Sequence, residues 1–278
     1  MATNLAVWRV IATRPLEQNT PWCGLLQQQG FEVLNLPLLS IVPVTAKPQI
    51  LALRHIIQNI DCVDSVIFVS QNAVHHGFRW LQEFWPQLPI GIQFFAVGTK
   101  TAKCIEQYLS AWGAAAERSI ITAGQMAMNS EELLSLPQLQ SLDLQKILIC
   151  RGEGGRPKLE QVLVARGAKV QLCELYRREF PPTAAMTLSQ ASIEVGSDIM
   201  TVFSGETLTN LVRALSRCSD EQKQKIKQLP LIVPGERVAE QARALGFVSL
   251  GIAQNASEPK MLEAVLNGIS HGFFETLS

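Results

Sequence analysis

Two stretches of this chain superimpose without a gap. Arg14 falls on Arg151 and Gly30 on Gly167 at one separation, 151 − 14 = 137 and 167 − 30 = 137. An internal repeat constrains a fold more than any single motif, because whatever one copy forms the other should form too. The second copy, Lys146 to Arg178, is the easier to read. Ile147-Leu148-Ile149-Cys150 is an apolar run of strand length. It breaks at Arg151-Gly152-Glu153-Gly154-Gly155-Arg156, where glycines permit dihedrals other residues resist. Pro157 suits a first helical turn, Leu159, Val162, Leu163 and Arg166 follow at helical spacing, and Gly167 supplies the left-handed residue that ends a helix. Val170, Leu172 and Leu175 then alternate as in a strand. The unit is strand, loop, helix, strand: a parallel crossover with polar groups at the carboxyl end of its first strand. The first copy runs from Val10–Pro15 through a helix expected to be capped by Thr20, with Pro21 at its first position, to Gly30 and the strand Phe31–Leu34.

The remaining segments repeat as well. Leu36 to Val44 is extended and punctuated by prolines, which suits an edge or connecting strand. A helix is predicted over Gln49–Asn59, then a strand Ser65–Val69, the turn Ser70-Gln71-Asn72 and a helix from near Ala73. Phe94–Val97 leads through Gly98-Thr99-Lys100-Thr101 into a helix ending at Leu109. Gly113 to Met128 reads as loop with one short strand, and Asn129–Leu134 as a capped short helix. Later, Ile199–Phe203 leads through Ser204-Gly205-Glu206-Thr207 into a helix carrying Leu208, Leu211, Val212 and Leu215. Leu231–Val233 leads through Gly235-Glu236-Arg237 into a helix to Leu245, before a strand over Phe247–Ile252 and a last helix capped by Ser257. Ser70 matches Ser204, Gly98 matches Gly235, and Ala102 matches Ala239. The order is A, B, A′, B′, with A the crossover unit and B the two strand–turn–helix elements. Alternating strands and helices predict an α/β protein with parallel sheets flanked by helices. A chain of 278 residues fits two lobes of about 100–150 residues each. The repeat leaves two pairings open: A with B, or A with B′ while B joins A′.

Composition removes several function classes. Lysine plus arginine equals aspartate plus glutamate, 24 against 24, so no global field draws nucleic acid or an anionic membrane. An anionic ligand must then be held locally. The six cysteines are scattered without a CxxC pair, which fits reduced thiols better than disulfides or zinc. No basic-then-apolar leader and no run of transmembrane length are visible, so a cytoplasmic location is expected.

The loop Arg151–Arg156 lacks the Lys-Ser/Thr ending of a P-loop and the spacing of a dinucleotide fingerprint, which argues against a nucleotide. Its plain reading is a tight turn, but three charged side chains in six residues exceed what a turn needs. Free amides at a helix start attract carboxylates as well as phosphates. Five other turns share the arrangement: Thr13-Arg14-Pro15, Ser70–Asn72, Gly98–Thr101, Ser204–Glu206 and Gly235–Arg237. Singly, a hydroxyl there is a helix cap. Together, at carboxyl ends of parallel strands, such turns line one rim of each lobe, and two facing rims would make a cleft. Tyr176 is either an amphipathic residue packed at a lobe edge or a hydroxyl presented to that cleft. His75 and His76 point to different sides of a helix and lack acidic or cysteine partners nearby in sequence, so no metal site is expected. Ser70 and Ser204 have no GxSxG context, and Lys223-Gln224-Lys225 reads as a solvated helix face.

Taken in order, the motifs VIATRP (Val10–Pro15), LPLLSI (Leu36–Ile41), FVSQNAV (Phe68–Val74), AVGTKTA (Ala96–Ala102) and ILICRGEGGR (Ile147–Arg156) resemble the uroporphyrinogen-III synthase family, most closely its enterobacterial-type branch. Gly167–Tyr176, FSGETL (Phe203–Leu208) and VPGERVAEQARALG (Val233–Gly246) extend the likeness over nearly the whole chain. The resemblance implies two flavodoxin-like lobes joined by a two-strand hinge in the crossed pairing, residues 1–36 plus 178–278 forming a discontinuous lobe and 37–177 an inserted one. It also implies the reaction. Hydroxymethylbilane loses water and closes to uroporphyrinogen III with the last pyrrole ring inverted, through an azafulvene and a spiro intermediate, on the way to haem and sirohaem.

That tetrapyrrole bears eight carboxylates, and steering it needs geometry more than acid–base groups. Carried onto this chain, the family's tyrosine is Tyr176, a candidate proton donor to the departing hydroxyl. Substrate contacts are expected from Arg14, Pro15, Ser70, Gln71, Asn72, Gly98, Thr99, Thr101, Arg151, Gly152, Gly154, Gly155, Arg156, Ser204, Gly205, Glu206, Gly235 and Arg237. No cofactor and no metal are implied; the expected partners are substrate, product and handover from hydroxymethylbilane synthase, with the protein a monomer. The chain departs from the family pattern at Gln71 and Gly205, where many relatives have Pro or Ala, and at Val238, where other branches have a threonine. The competing reading is a cytoplasmic two-lobed module that binds or senses a small anion without catalysis.

Overall fold

The computed structural model describes residues 8–113, 120–122 and 130–272. The chain begins with β1 (Arg9–Ala12), α1 (Leu16–Gln28), β2 (Glu32–Asn35) and β3 (Ser40–Pro43). It continues through α2 (Lys47–Gln58), β4 (Ser65–Phe68), α3 (Gln71–Phe84), β5 (Gln93–Ala96), α4 (Thr99–Ala111), β6 (Ile120–Ile121) and α5 (Ser130–Leu134). The second crossover follows as β7 (Lys146–Gly152), α6 (Lys158–Ala165) and β8 (Lys169–Glu179). The last part comprises α7 (Ala184–Gln190), β9 (Asp198–Thr201), α8 (Gly205–Ala214), α9 (Asp220–Gln228), β10 (Leu231–Val233), α10 (Glu236–Ala244), β11 (Leu250–Ile252) and α11 (Glu258–His271). Asn129, the expected cap of α5, lies outside the described residues, as does most of Gly113–Met128.

The chain divides into two compact units, residues up to Ser40 with those from Glu179 onward, and Ile41–Arg178. Each has its own sheet. The first is five-stranded in the order β2-β1-β9-β10-β11, all parallel. The second runs β3-β8-β7-β4-β5-β6, with β3 at an edge, as its prolines predict, and the pairs from β8 to β6 parallel. A therefore pairs with B′, and B with A′. With the crossover unit counted first, the first sheet has the flavodoxin-like order 2-1-3-4-5, and the second has the same order with β3 added beside β8.

The repeat holds to the residue. Arg9 pairs with Glu32 and Lys146 with Lys169, and both members differ by 137 (146 − 9 and 169 − 32). Where the copies diverge is the helix start. α1 begins at Leu16, not at Pro21, so Thr20 is inside the helix with its hydroxyl bonded back to the Leu16 carbonyl at 3.1 Å. The preference of proline for a first turn is overridden by anchoring. The Pro15 carbonyl accepts from the Gln18 and Asn19 amides at 2.9 and 2.8 Å, and the Asn19 side chain donates to the Ala12 carbonyl at 2.8 Å. In the second copy the equivalent residues form the glycine loop, and α6 starts later and is shorter, 8 residues against 13. Two smaller expectations also fail. Ser257 makes no side-chain cap bond, and Phe247 to Ser249 precede β11 instead of joining it.

Strand side chains alternate between faces, and both faces are buried. In the first unit Ile11, Met200, Leu231 and Val233 pack on one side; Val10, Ala12, Ile199 and Ile232 pack on the other. In the second, Val66, Phe68, Phe94 and Leu148 oppose Ile67, Phe95, Ile147 and Ile149. Four of the six cysteines are buried and all six are free thiols. Cys150 and Cys173 pair across β7 and β8, and their hydrogen bond and burial push the Cys150 thiol well above its usual range. Lys223 and Lys225 form ion pairs with Asp220 and Glu221 on the surface of α9. Among the described residues no helix is long and apolar enough to cross a membrane.

One ion pair, with its carboxylate buried and its guanidinium partly exposed, holds β9 against β1. Arg9 donates two bonds to Asp198, at 2.7 and 2.6 Å, and Asp198 is only 1 % exposed. The Glu194 amide donates to the same carboxylate at 2.9 Å. The hydrogen bonding to Asp198 raises the Arg9 pKa, against the opposing effect of its partial burial. Arg9→Ala strands the carboxylate and is expected to lower the unfolding free energy by about 3–5 kcal/mol. Urea denaturation measures this; a loss under about 1 kcal/mol would mean Asp198 tolerates burial without its partner.

Candidate functional site

Because the strands are parallel, the six polar turns fall at the carboxyl edges of the two sheets, three on each. Their geometry repeats as the sequence does. Ser70 (φ −165°, ψ 164°) and Ser204 (φ −161°, ψ 160°) share an extended backbone. Each hydroxyl caps its helix by accepting from the amide three residues on, Ala73 and Thr207, both at 3.1 Å. Gly98 (φ 88°) and Gly235 (φ 123°) start α4 and α10 in a backbone region that favours glycine. The early amides of these helices therefore point out of the edge with no intrahelical acceptor.

Tyr176 is brought to this edge by a bulge. Arg151 pairs with Glu174 but Gly152 pairs with Tyr176, so β8 carries one extra residue there. Strict alternation would put Tyr176 opposite Leu175; the bulge turns both onto one face. The expected single-face alternation of Val170, Leu172 and Leu175 does not hold, since the first two pack on one core and Leu175 on the other. Tyr176 is 4 % exposed, its ring stacks on His76 with centroids 5.3 Å apart, and its hydroxyl lies 3.0 Å from the Ser70 hydroxyl. Gly152 lies against the ring, where a Cβ would come within 2.5 Å of it. His75 faces elsewhere, 3.0 Å from the Tyr108 hydroxyl.

Arg151 is not displayed. It is buried, and its guanidinium donates to the Gly152, Arg156 and Gly155 carbonyls while meeting Glu174 at 3.6 Å. Gly155 permits this, because a Cβ there would fall 2.7 Å from the Arg151 Nε. Arg151 thus staples the loop from inside, and Gly154 (φ 67°) turns it. Arg14 is likewise engaged, with Glu258 at 2.6 Å, Gln18 at 3.2 Å and the Phe203 ring 4.4 Å below. Neither is available to a ligand without breaking these contacts.

A cavity of 270 Å³ opens beside the loop, at the carboxyl ends of β4, β5 and β7. Val69, Val97, Ile149 and Leu159 form its apolar part; Arg151, Gly155, Arg156, Lys158, Arg178, Ser130 and Glu131 complete it. With Arg151 committed to the loop carbonyls, three other cations, Arg156, Lys158 and Arg178, share the lining with one carboxylate, Glu131, in a chain whose charges balance. Sequence reasoning does not single out Lys158, Arg178 or Glu131 as contacts. Lys158 carried a usable signal, a cation at the first helical position after a glycine loop; Glu131 is brought in from another element by the tertiary fold.

The other expected contacts divide by sheet. Gln71 and Asn72 open α3, and Gly98 and Thr99 open α4, while Thr101 is buried at 4 % exposure. In the first unit Pro15 is the buried start of α1. Gly205 abuts α10, where a Cβ would meet the Gln241 Oε1 at 2.7 Å and Arg237 at 3.7 Å. Glu206 and Arg237 are exposed. Val238 is buried like its counterpart Thr101, so valine replaces a hydroxyl at an inward position.

Comparison with known proteins decides the family. The sequence model of uroporphyrinogen-III synthase HemD matches residues 21–263. The uroporphyrinogen-III synthase of Escherichia coli (strain K12) is 30% identical over 261 residues, 92% of this chain and 99% of that protein. This chain belongs to the uroporphyrinogen-III synthase family. The family's enzyme from Salmonella typhimurium is 29% identical over 259 residues, again 92% of this chain and 99% of the relative. Among solved structures, a mutant uroporphyrinogen III synthase of the extremely thermophilic bacterium Thermus thermophilus is similar in fold, with a TM-score of 0.56 at 17% identity, covering 96% of this chain and 100% of that one. The synthase of Helicobacter pylori 26695 gives 0.54 at 15%, covering 94% and 99%.

The crowding at Gly152 yields a test of how this family member seats its tyrosine. Gly152→Ala should push the ring off Ser70 and destabilise the protein by about 1–3 kcal/mol, the usual penalty of overpacking. A denaturant midpoint equal to the parent's would show that the ring yields freely.

Proposed function

We infer that this protein is a uroporphyrinogen-III synthase, catalysing the cyclising dehydration of hydroxymethylbilane to uroporphyrinogen III with inversion of the last ring. The family match across residues 21–263 carries the reading. The carboxyl-edge geometry supports it: amide-bearing helix starts and a cationic cavity suit a flexible polycarboxylate. The task is conformational, because the linear substrate closes readily on its own and only the fold it adopts selects the inverted ring.

Tyr176 is the proposed proton donor. The Ser70 hydroxyl accepts from the Ala73 amide and lies 3.0 Å from the Tyr176 hydroxyl, and either of the two can donate. In the proposed role Ser70 is the donor, which leaves the phenolic hydrogen for the substrate. Donation to the departing hydroxyl releases water and leaves a cationic azafulvene. The phenolate is then a counter-charge. The substituted α-carbon of the terminal pyrrole attacks the azafulvene carbon to give the spiro intermediate. Its bond to the original methylene bridge breaks, and that methylene bonds instead to the unsubstituted α-carbon, whose proton returns to the phenolate. The proposed binding groups are Ser70–Asn72, Gly98–Thr101 and Gly152–Arg156 at the carboxyl edge of one unit's sheet, and Pro15, Ser204–Glu206 and Gly235–Arg237 at that of the other's. Thr101 joins through its turn, and Arg14 and Arg151 act by holding their own turns in shape. The enzyme is proposed to be a cofactor-free hydro-lyase of the cytoplasm, a monomer that takes its substrate from hydroxymethylbilane synthase.

A coupled assay with hydroxymethylbilane synthase, resolving isomers chromatographically, tests the activity; type I product alone would overturn it. Tyr176→Phe is expected to lower kcat about tenfold to a hundredfold, toward the lower end of general-acid contributions. An unchanged rate would return Tyr176 to packing.

A further inference from the structure

We propose that the cavity between the carboxyl ends of β4, β5 and β7 and the helices α5 and α6 is a subsite for one carboxyalkyl arm of the substrate, and that Glu131, on its rim, is an internal anion which that arm displaces from Lys158. The proposal rests on the reading of the substrate as a polycarboxylate. Size comes first. At 270 Å³ the cavity falls below the roughly 300–1,000 Å³ of pockets that enclose a whole small-molecule ligand, so it takes an arm and not a ring system. Its chemistry is that of such an arm in reverse: Val69, Val97, Ile149 and Leu159 suit methylenes, while Arg156, Lys158 and Arg178 suit the carboxylate.

Glu131 already plays the part of the ligand. Its Oε1 lies 2.9 Å from the Lys158 Nζ, and the hydrogen bond from Lys158, then a backbone hydrogen bond, with weaker help from Arg156, lowers its pKa. The pair is weak enough to be exchanged. Lys158 and Glu131 are 58% and 50% exposed, and ion pairs this open to water contribute little. An arm of a tethered substrate arrives at high effective concentration and competes well against it. Arg151 takes no part in the exchange, since its donors are committed to the loop carbonyls.

The idea fixes opposite signs for neighbouring substitutions. Lys158→Ala and Arg156→Ala should each raise KM for hydroxymethylbilane about fivefold or more, with kcat within about twofold, as expected for lost uniform binding. Glu131→Gln removes the competitor and should lower KM about twofold or more. The same order should appear in direct titration with uroporphyrin I, a fluorescent polycarboxylate, and should weaken with added salt. A purely structural ion pair would make Glu131→Gln behave like Lys158→Ala, and that result overturns the proposal. So does a set of variants within about twofold of the parent in both assays. Should Lys158→Ala fail to fold, the direction of the Glu131→Gln shift decides alone. Absence of any type III product, with the binding order retained, would sink the enzymatic reading and leave the subsite standing.

Discussion

Everything in this architecture follows from the hydrogen-bonding demand of two central strands. Val10, Ile11 and Ala12 of β1 are fully buried, so their backbone groups need partners along both edges. One edge is met locally by β2, across a single helix. The other is met by β9, 189 residues on (198 − 9). β7 has the same demand and meets it in the other direction, with β8 following it and β4 lying earlier in the chain. The first crossover recruits forward and the second recruits backward, so the repeat order A, B, A′, B′ closes as two crossed units. The Arg9–Asp198 pair marks the longest of these closures. It adds direction to a pairing that apolar strands alone would leave permissive.

Parallel pairing has a second consequence. It sends every strand-to-helix turn of a sheet to one edge, and the strand order reverses beside β1 in one unit and beside β7 in the other. At such a reversal neighbouring helices leave on opposite faces and the edge opens, which is where ligands of open α/β sheets bind. Ser70, the Arg151 loop and the bulged Tyr176 lie around the reversal between β4 and β7. The bulge is a local irregularity with a specific effect. It trades one ladder position for a tyrosine hydroxyl aimed at a helix-capping serine, and the adjacent glycine makes room for the ring.

The arginines show how little residue type says about role. Arg14 and Arg151 match across the repeat, and both are turned inward, one onto a glutamate and an aromatic ring, the other onto three carbonyls. They shape the turns. The cations that face open volume are Arg156, Lys158 and Arg178, which the repeat does not single out. A guanidinium with five donors either finishes a loop or greets a ligand, and burial decides between them.

Periodicity, glycine placement and the gapless repeat were enough to determine the α/β class, most of the strands and helices, and the equivalence of Ser70 with Ser204 and Gly98 with Gly235. These are local properties, set by side-chain spacing and by backbone dihedrals that few residues accept. The family likeness was legible for the same reason, since its motifs are the turns themselves. Short segments without a strong apolar stripe are harder to read: α7 carries no clear helical signal, and α1 starts a turn and more before Pro21. Three things were decided only by the tertiary fold. The repeat was compatible with two pairings, and the choice depends on contacts between segments far apart in sequence. The bulge in β8 depends on how two strands register, and register is a property of the pair. The cavity gathers Glu131 from one helix and Lys158 from another, and charge at a distance in sequence becomes charge at 2.9 Å only when the sheet between them has formed.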